Sequence, residues 1–173
     1  KKILLAICSM IVLFANAQVN RLSEQIGSDK KNAYTKNSRI CYAYELTNAF
    51  AEISFINATT VRVRVTKEKP TSDFSFAIEN PETFNNFNVA EDNIGETGAK
   101  NIYTTASLKV EITNNPFRVN IFTIDGKLLC GDDSNLGISW FGNQVSCYKK
   151  LHSDEKFIGL GEKTGGINRR GNF

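Results

Sequence analysis

Val61-Arg62-Val63-Arg64-Val65 alternates without exception. Successive side chains of a β-strand point to opposite faces, so the three valines share one face and both arginines the other. Two arginines side by side are able to bind anions, but on a strictly alternating strand they read as its solvated face. Just upstream, residues 50–56 read as a second strand, with Ile53 and Phe55 on one face. Asn57-Ala58-Thr59-Thr60 between the two is the size of a hairpin connection. Asn57-Ala58-Thr59 also fits the N-glycosylation acceptor pattern. Such triplets are common by chance, and a turn is the expected role.

The same reading extends outward in both directions. Residues 75–79, 102–105, 108–113, 118–124, 127–130, 138–141, 144–151 and 157–160 are expected strands. Asn114-Asn115-Pro116, Asp125-Gly126 and Gly142-Asn143 supply turn chemistry between them. Residues 80–100, rich in Asn, Glu and Gly around an apolar patch at 84–89, read as a long surface connection. Residues 18–40 are polar and rich in Lys, Ser and Asn, and read as a lead-in with one helical turn near 21–26. The first strand is expected near Cys41. No segment after residue 18 sustains a helical apolar period. Many short strands at regular turn spacing imply an all-β sandwich or barrel, and alternation with one apolar face implies antiparallel sheets. The expected fold is an antiparallel β-sandwich over residues 41–173.

Composition narrows the function classes. The chain has 173 residues, 41% hydrophobic and 23% charged, which suits one globular domain and excludes a disordered or collagen-like chain. Lys plus Arg number 21 and Asp plus Glu 18. Without Lys1 and Lys2 the balance is 19 against 18, a net +1. No basic surface for nucleic acid is expected from that balance. His152, the only histidine, limits histidine-based metal sites and catalytic triads.

Lys1-Lys2, an apolar run from Ile3 to Phe14, and Ala15-Asn16-Ala17 have the three-part layout of a secretory signal peptide, cleaved after Ala17. The run is short of the roughly 20 residues that a membrane span needs. Residues 1–17 are therefore expected to direct export to the periplasm or beyond the cell, with no membrane attachment after cleavage. Lipidation at Cys8 is disfavoured by the bulk of Ile7 and by the early position of Cys8. Cys41, Cys130 and Cys147 remain, an odd number. Cys130 and Cys147 are able to bridge in an oxidising compartment, but without a dense cysteine framework they read as small buried hydrophobes.

Several chemical motifs fail on detail. Gly159-Leu160-Gly161-Glu162-Lys163-Thr164-Gly165-Gly166 has Glu162 where a phosphate loop needs Gly, and Thr164 where a dinucleotide loop needs Gly. Gly131-Asp132-Asp133-Ser134-Asn135 lacks the spacing of a calcium loop, whose twelfth position from Asp133 is Gln144. Asp154 and Glu155 are adjacent and point apart on a strand, which is wrong for an acid/base pair. No catalytic residue, metal site or cofactor is expected.

Phe157-Ile158-Gly159-Leu160-Gly161-Glu162-Lys163-Thr164, followed by Ile167-Asn168-Arg169-Arg170-Gly171, resembles the end of the N-terminal domain of glycoside hydrolase family 31. Leu108-Lys109-Val110-Glu111-Ile112, Asn115-Pro116-Phe117-Arg118-Val119 and Asp125-Gly126-Lys127 resemble the family's central hairpins in order, and Val61-Arg62-Val63-Arg64 its early strand. The resemblance covers about residues 45–173. It implies a sandwich of the galactose-mutarotase-like kind, packed on a (β/α)8 barrel that carries two catalytic aspartates of a retaining mechanism. The full enzyme would act on an α-linked oligosaccharide or glycoside, with an α-glucoside first and an α-xyloside next. A barrel needs roughly 250 residues, so both aspartates are expected outside residues 1–173 and this piece alone is expected to be inactive. Asn168, Arg169 and Arg170 are the candidates for the active-site mouth, with docking onto the barrel an equal role for Arg169 and Arg170. The alternative is a free-standing carbohydrate-binding or adhesive sandwich using Trp140, Phe141 and Tyr148. Trp140 and Phe141 are adjacent on one strand, so at least one is expected in the core.

Overall fold

The computed structural model describes residues 28–36, 39–69, 87–95, 99–142, 144–159, 161 and 165–171. The expected strand at 75–79, the helical turn near 21–26 and the signal segment 1–17 lie outside these residues. The described chain is all β. A first antiparallel sheet runs in the order β1 (Ser28–Lys36), β2 (Arg39–Leu46), β3 (Ala49–Asn57), β4 (Thr60–Thr66). A second runs β5 (Ala90–Ile94), β6 (Lys100–Thr104), β7 (Leu108–Asn114), β8 (Phe117–Thr123), β9 (Leu128–Gly131). A hairpin, β10 (Ile138–Phe141) and β11 (Gln144–Cys147), follows. Every pairing is antiparallel.

The core forms between the inner faces of the two sheets. Tyr42, Tyr44, Ile53 and Phe55 from the first sheet meet Tyr103, Val110, Ile112, Phe117 and Val119 from the second. Ile53 and Phe55, expected on one face, are both fully buried. Val61, Val63 and Val65 pack against the edge of this cluster. Burying a large apolar side chain contributes about 1.5–3 kcal/mol, so this shared inner face is what holds the two layers together.

Local turns follow the sequence. The Asn57 side-chain oxygen accepts from the Thr59 backbone N–H at 2.9 Å and from the Thr59 hydroxyl at 3.0 Å, closing the β3–β4 hairpin. Phe141 pairs with Gln144 across a two-residue connection. Trp140 packs against the core, as expected of one member of the adjacent aromatic pair.

Four expectations need correction. Strands begin at Ser28 rather than near Cys41, because part of the polar lead-in forms edge strand β1. Part of the long surface connection forms edge strand β5, exposed along its whole length. Among the described residues each pairs by its backbone with one neighbouring strand, and neither has a regular apolar face to reveal it. The arginines of β4 do not face open solvent: the Arg64 guanidinium pairs with Glu52 at 2.9 Å, and Glu52 is buried on the outer face of the sheet. Residues 157–159, the described part of the expected strand 157–160, form none: Ile158 makes an isolated bridge to Asn168, and Gly159 and Gly161 turn the chain with positive φ.

Candidate functional site

The C-terminal motif sits on a loop system beyond β9. Arg118 on β8 organises its beginning. This buried guanidinium donates to the carbonyls of Asp133 (2.9 Å), Phe117 (2.7 Å) and Asn135 (3.2 Å), fixing the turn after β9. Asp133 then caps the same turn, accepting from the backbone N–H of Asn135 and of Leu136, both at 2.9 Å. Those bonds, from Leu136 first and then Asn135, hold its carboxyl below the usual range. Gly137 closes the turn with φ +55 and its α-carbon against the Arg118 guanidinium.

Asp132 ties this turn to the next segment. Its buried carboxylate accepts the Val119 N–H at 2.8 Å and pairs with Lys149 at 2.5 Å. Burial works against the Lys149 charge, but the Asp132 carboxylate more than offsets it and raises the ammonium pKa. Cys130 and Cys147 are unbridged. Cys147 is exposed and Cys130 half-buried, so neither is the small buried hydrophobe expected. Residual desolvation of Cys147 still pushes its thiol pKa up.

Asn168 and Arg170, two of the three residues singled out from sequence, act on their own chain. Asn168 accepts from the Phe157 N–H at 3.0 Å and the Arg170 N–H at 3.2 Å. The Arg170 guanidinium donates to the carbonyls of His152 and Ser153, both at 2.7 Å, and of Glu155 at 3.0 Å. The Arg169 backbone N–H meets the Phe157 carbonyl at 2.7 Å. The three residues thus come together on one clamp that joins segment 152–158 to segment 168–170. Residues 162–164 of the motif lie outside the described residues. Arg118 and Asp132 position the front of this system; Arg118 stands in a stretch that carries the family resemblance and Asp132 in the rejected calcium-loop motif, and neither reading pointed to this positioning role.

Several apolar side chains in and before the clamp are exposed. Val145, Tyr148, Leu151 and Phe157 are exposed, Ile158 keeps 65% of its surface in contact with solvent, and Ile167 78%. Single exposed apolar residues are ordinary; these six all fall within residues 145–167. Among the described residues no group of three or more His, Cys, Asp or Glu is placed to hold a metal ion.

Comparison with known proteins places this architecture. A Flavobacterium johnsoniae family 31 dextranase, solved in complex with isomaltotriose, superposes with a TM-score of 0.72 at 22% identity, covering 86% of this chain and 18% of that one. An uncharacterised protein of Listeria monocytogenes superposes with a TM-score of 0.58 at 22% identity, over 85% of this chain and 14% of that one. In sequence, α-glucosidase 2 of Bacillus thermoamyloliquefaciens is 32% identical over 78 residues, 45% of this chain. An isomaltosyltransferase of Sporosarcina globispora is 28% identical over 89 residues, 46% of this chain. The aligned regions span 10% and 8% of those two relatives. The model of the glycosyl hydrolase 31 N-terminal galactose mutarotase-like domain matches residues 51–172. That match spans more than half of the chain, which belongs to the glycosyl hydrolase 31 N-terminal, galactose mutarotase-like family.

Proposed function

We propose that this chain is the N-terminal β-sandwich of an exported, retaining α-glycosidase of the α-glucosidase type. The observation that carries the reading is the family match across residues 51–172. The relative named α-glucosidase favours an α-glucoside as substrate, with an α-xyloside second. In such an enzyme one carboxylate attacks the anomeric carbon and a second acts as acid, then base. Both carboxylates belong to a (β/α)8 barrel outside residues 1–173, and these residues alone are inactive.

The sandwich serves as scaffold, and the apolar surface around Ile158 and Ile167 docks that barrel. Asn168, Arg169 and Arg170 border the active-site mouth. Asn168 and Arg170 act there by keeping the loop in shape, because their polar atoms hold the backbone of 152–158. Residues 1–17 direct export and are removed. Among the described residues no helix is long and apolar enough to cross a membrane.

The test is an assay with an aryl α-glucoside on two proteins: residues 18–173, and the same chain extended by its native downstream sequence. Hydrolysis by the extended chain alone is expected. Turnover by residues 18–173 would overturn the reading. N-terminal sequencing of the exported protein should begin at Gln18.

A further inference from the structure

The outer face of the first sheet carries a groove of about 350 Å³. One small side chain creates it. Ala43 on β2 pairs in register with Asn32 on β1 and with Glu52 on β3, so all three share the face turned away from the core. A methyl group among longer neighbours leaves a hollow. Asn32 and Tyr34 line it from β1, Phe50 and Glu52 from β3, and Glu45 and Lys69 belong to the lining as well. Its volume falls within the range of small-molecule pockets.

The chemistry of the lining selects the ligand. Glu52 is 6% exposed and is held by three donors: the Tyr34 hydroxyl, Arg64 at 2.9 Å and the Ser54 hydroxyl at 3.3 Å. Its rotamer is therefore fixed, and the Arg64 guanidinium offsets its charge. Glu45 and Lys69 carry opposite charges across the rest of the lining. A groove balanced in this way gives no electrostatic advantage to an ion. It offers two aromatic rings, Tyr34 and Phe50, beside fixed hydrogen-bonding groups. Aromatic faces suit the C–H surface of a sugar ring, while amide, carboxylate and ammonium groups suit its hydroxyls.

We infer that this groove binds a neutral pyranose unit of a carbohydrate. Phe50 and Tyr34 supply the apolar contact, and Asn32, Glu45 and Lys69 bind the ring hydroxyls. The inference stands on the groove alone and is independent of the proposed glycosidase activity.

The experiment is calorimetric titration of residues 18–173 with methyl glucoside, methyl galactoside and methyl xyloside, and with choline as a cationic probe of the aromatic rings. At least one glycoside should bind saturably and choline should not. Phe50→Ala, and Ala43→Leu to fill the hollow, should each weaken that glycoside about tenfold or more, with near-ultraviolet circular dichroism unchanged. Should Ala43→Leu perturb the fold, Asn32→Ala at an exposed position replaces it, with the same expected weakening. Absence of saturable binding by all three glycosides overturns the proposal. So does tighter binding of choline, or undiminished glycoside binding in the folded variants.

Discussion

At the scale of single residues, Arg118 and Gly137 explain each other. A β-carbon built on Gly137 would stand 2.5 Å from the guanidinium carbon of Arg118 and 2.8 Å from its Nε. That guanidinium is bonded to four carbonyls and has little freedom to retreat. Gly137→Ala therefore combines left-handed backbone strain with displacement of Arg118, and should lower stability by about 2–4 kcal/mol in urea unfolding. Gly142 is the matched control. Its φ is +59, yet nothing lies within 4 Å of its β-carbon position. Gly142→Ala should cost only about 1–2 kcal/mol, the strain alone. Equal losses in the two variants would show that the guanidinium is not the wedge. A second prediction concerns Tyr34, whose hydroxyl donates to buried Glu52. Tyr34→Phe removes one donor from a charged group and should lower stability by about 1–3 kcal/mol. A midpoint unchanged from the parent would mean that solvent replaces the hydroxyl without loss.

At the scale of elements, the contrast is between central and edge strands. β3 lies between two partners and sends Ile53 and Phe55 into the core at 0% exposure. Phe55→Ala should cost about 3–5 kcal/mol. Ile94, at the end of edge strand β5, is 49% exposed, and Ile94→Ala should stay within about 0.5 kcal/mol. A large effect at Ile94 in thermal or urea unfolding would mean that β5 is covered on its outer side. The same contrast sets what the sequence reveals. Strands with one buried face, β3, β4, β7 and β8, show their period plainly in residues such as Val61, Val63, Val110 and Ile112. Edge strands β1 and β5 are largely polar, and they are paired to a neighbour by backbone bonds that leave no trace in side-chain pattern. The paired arginines of β4 misled for a related reason. Alternation says that Arg64 points away from the core, but not that Glu52, its cross-strand partner on β3, pairs with it there. The clamp residues Asn168 and Arg170 were legible as a motif; that they bind their own backbone depends on segment 152–158 folding beside them, a long-range fact.

At the scale of the whole molecule, tyrosines join the two layers. The Tyr44 and Tyr103 hydroxyls, one from each sheet, meet at 2.5 Å inside the core. Tyr42 and Tyr103 pack with ring centroids 4.0 Å apart, and Tyr44 meets Phe117 at 5.6 Å. Burial raises the pKa of Tyr103, Tyr44 and Tyr42 above the ordinary 10.0, because a phenolate is poorly solvated there. The sign of the linkage follows. Below pH 10 these phenols are neutral in both folded and unfolded chains, and their contribution to stability is fully present. Above it the unfolded chain loses protons that the folded chain keeps, so stability falls as pH rises toward the folded values. Urea midpoints should be flat up to about pH 10 and drop beyond it, with tyrosinate absorbance rising together with loss of structure. The hydroxyl pair adds a second test. Tyr44→Phe leaves the Tyr103 hydroxyl buried without its partner and should cost about 1–3 kcal/mol at neutral pH. The double variant, Tyr44→Phe with Tyr103→Phe, removes both polar groups and should recover most of that loss. It should also unfold less steeply in alkali, because two of the phenols that ionise only on unfolding are gone. If the two single losses instead add in the double variant, the sheets are held by ring packing alone and the hydroxyl pair contributes nothing to joining them.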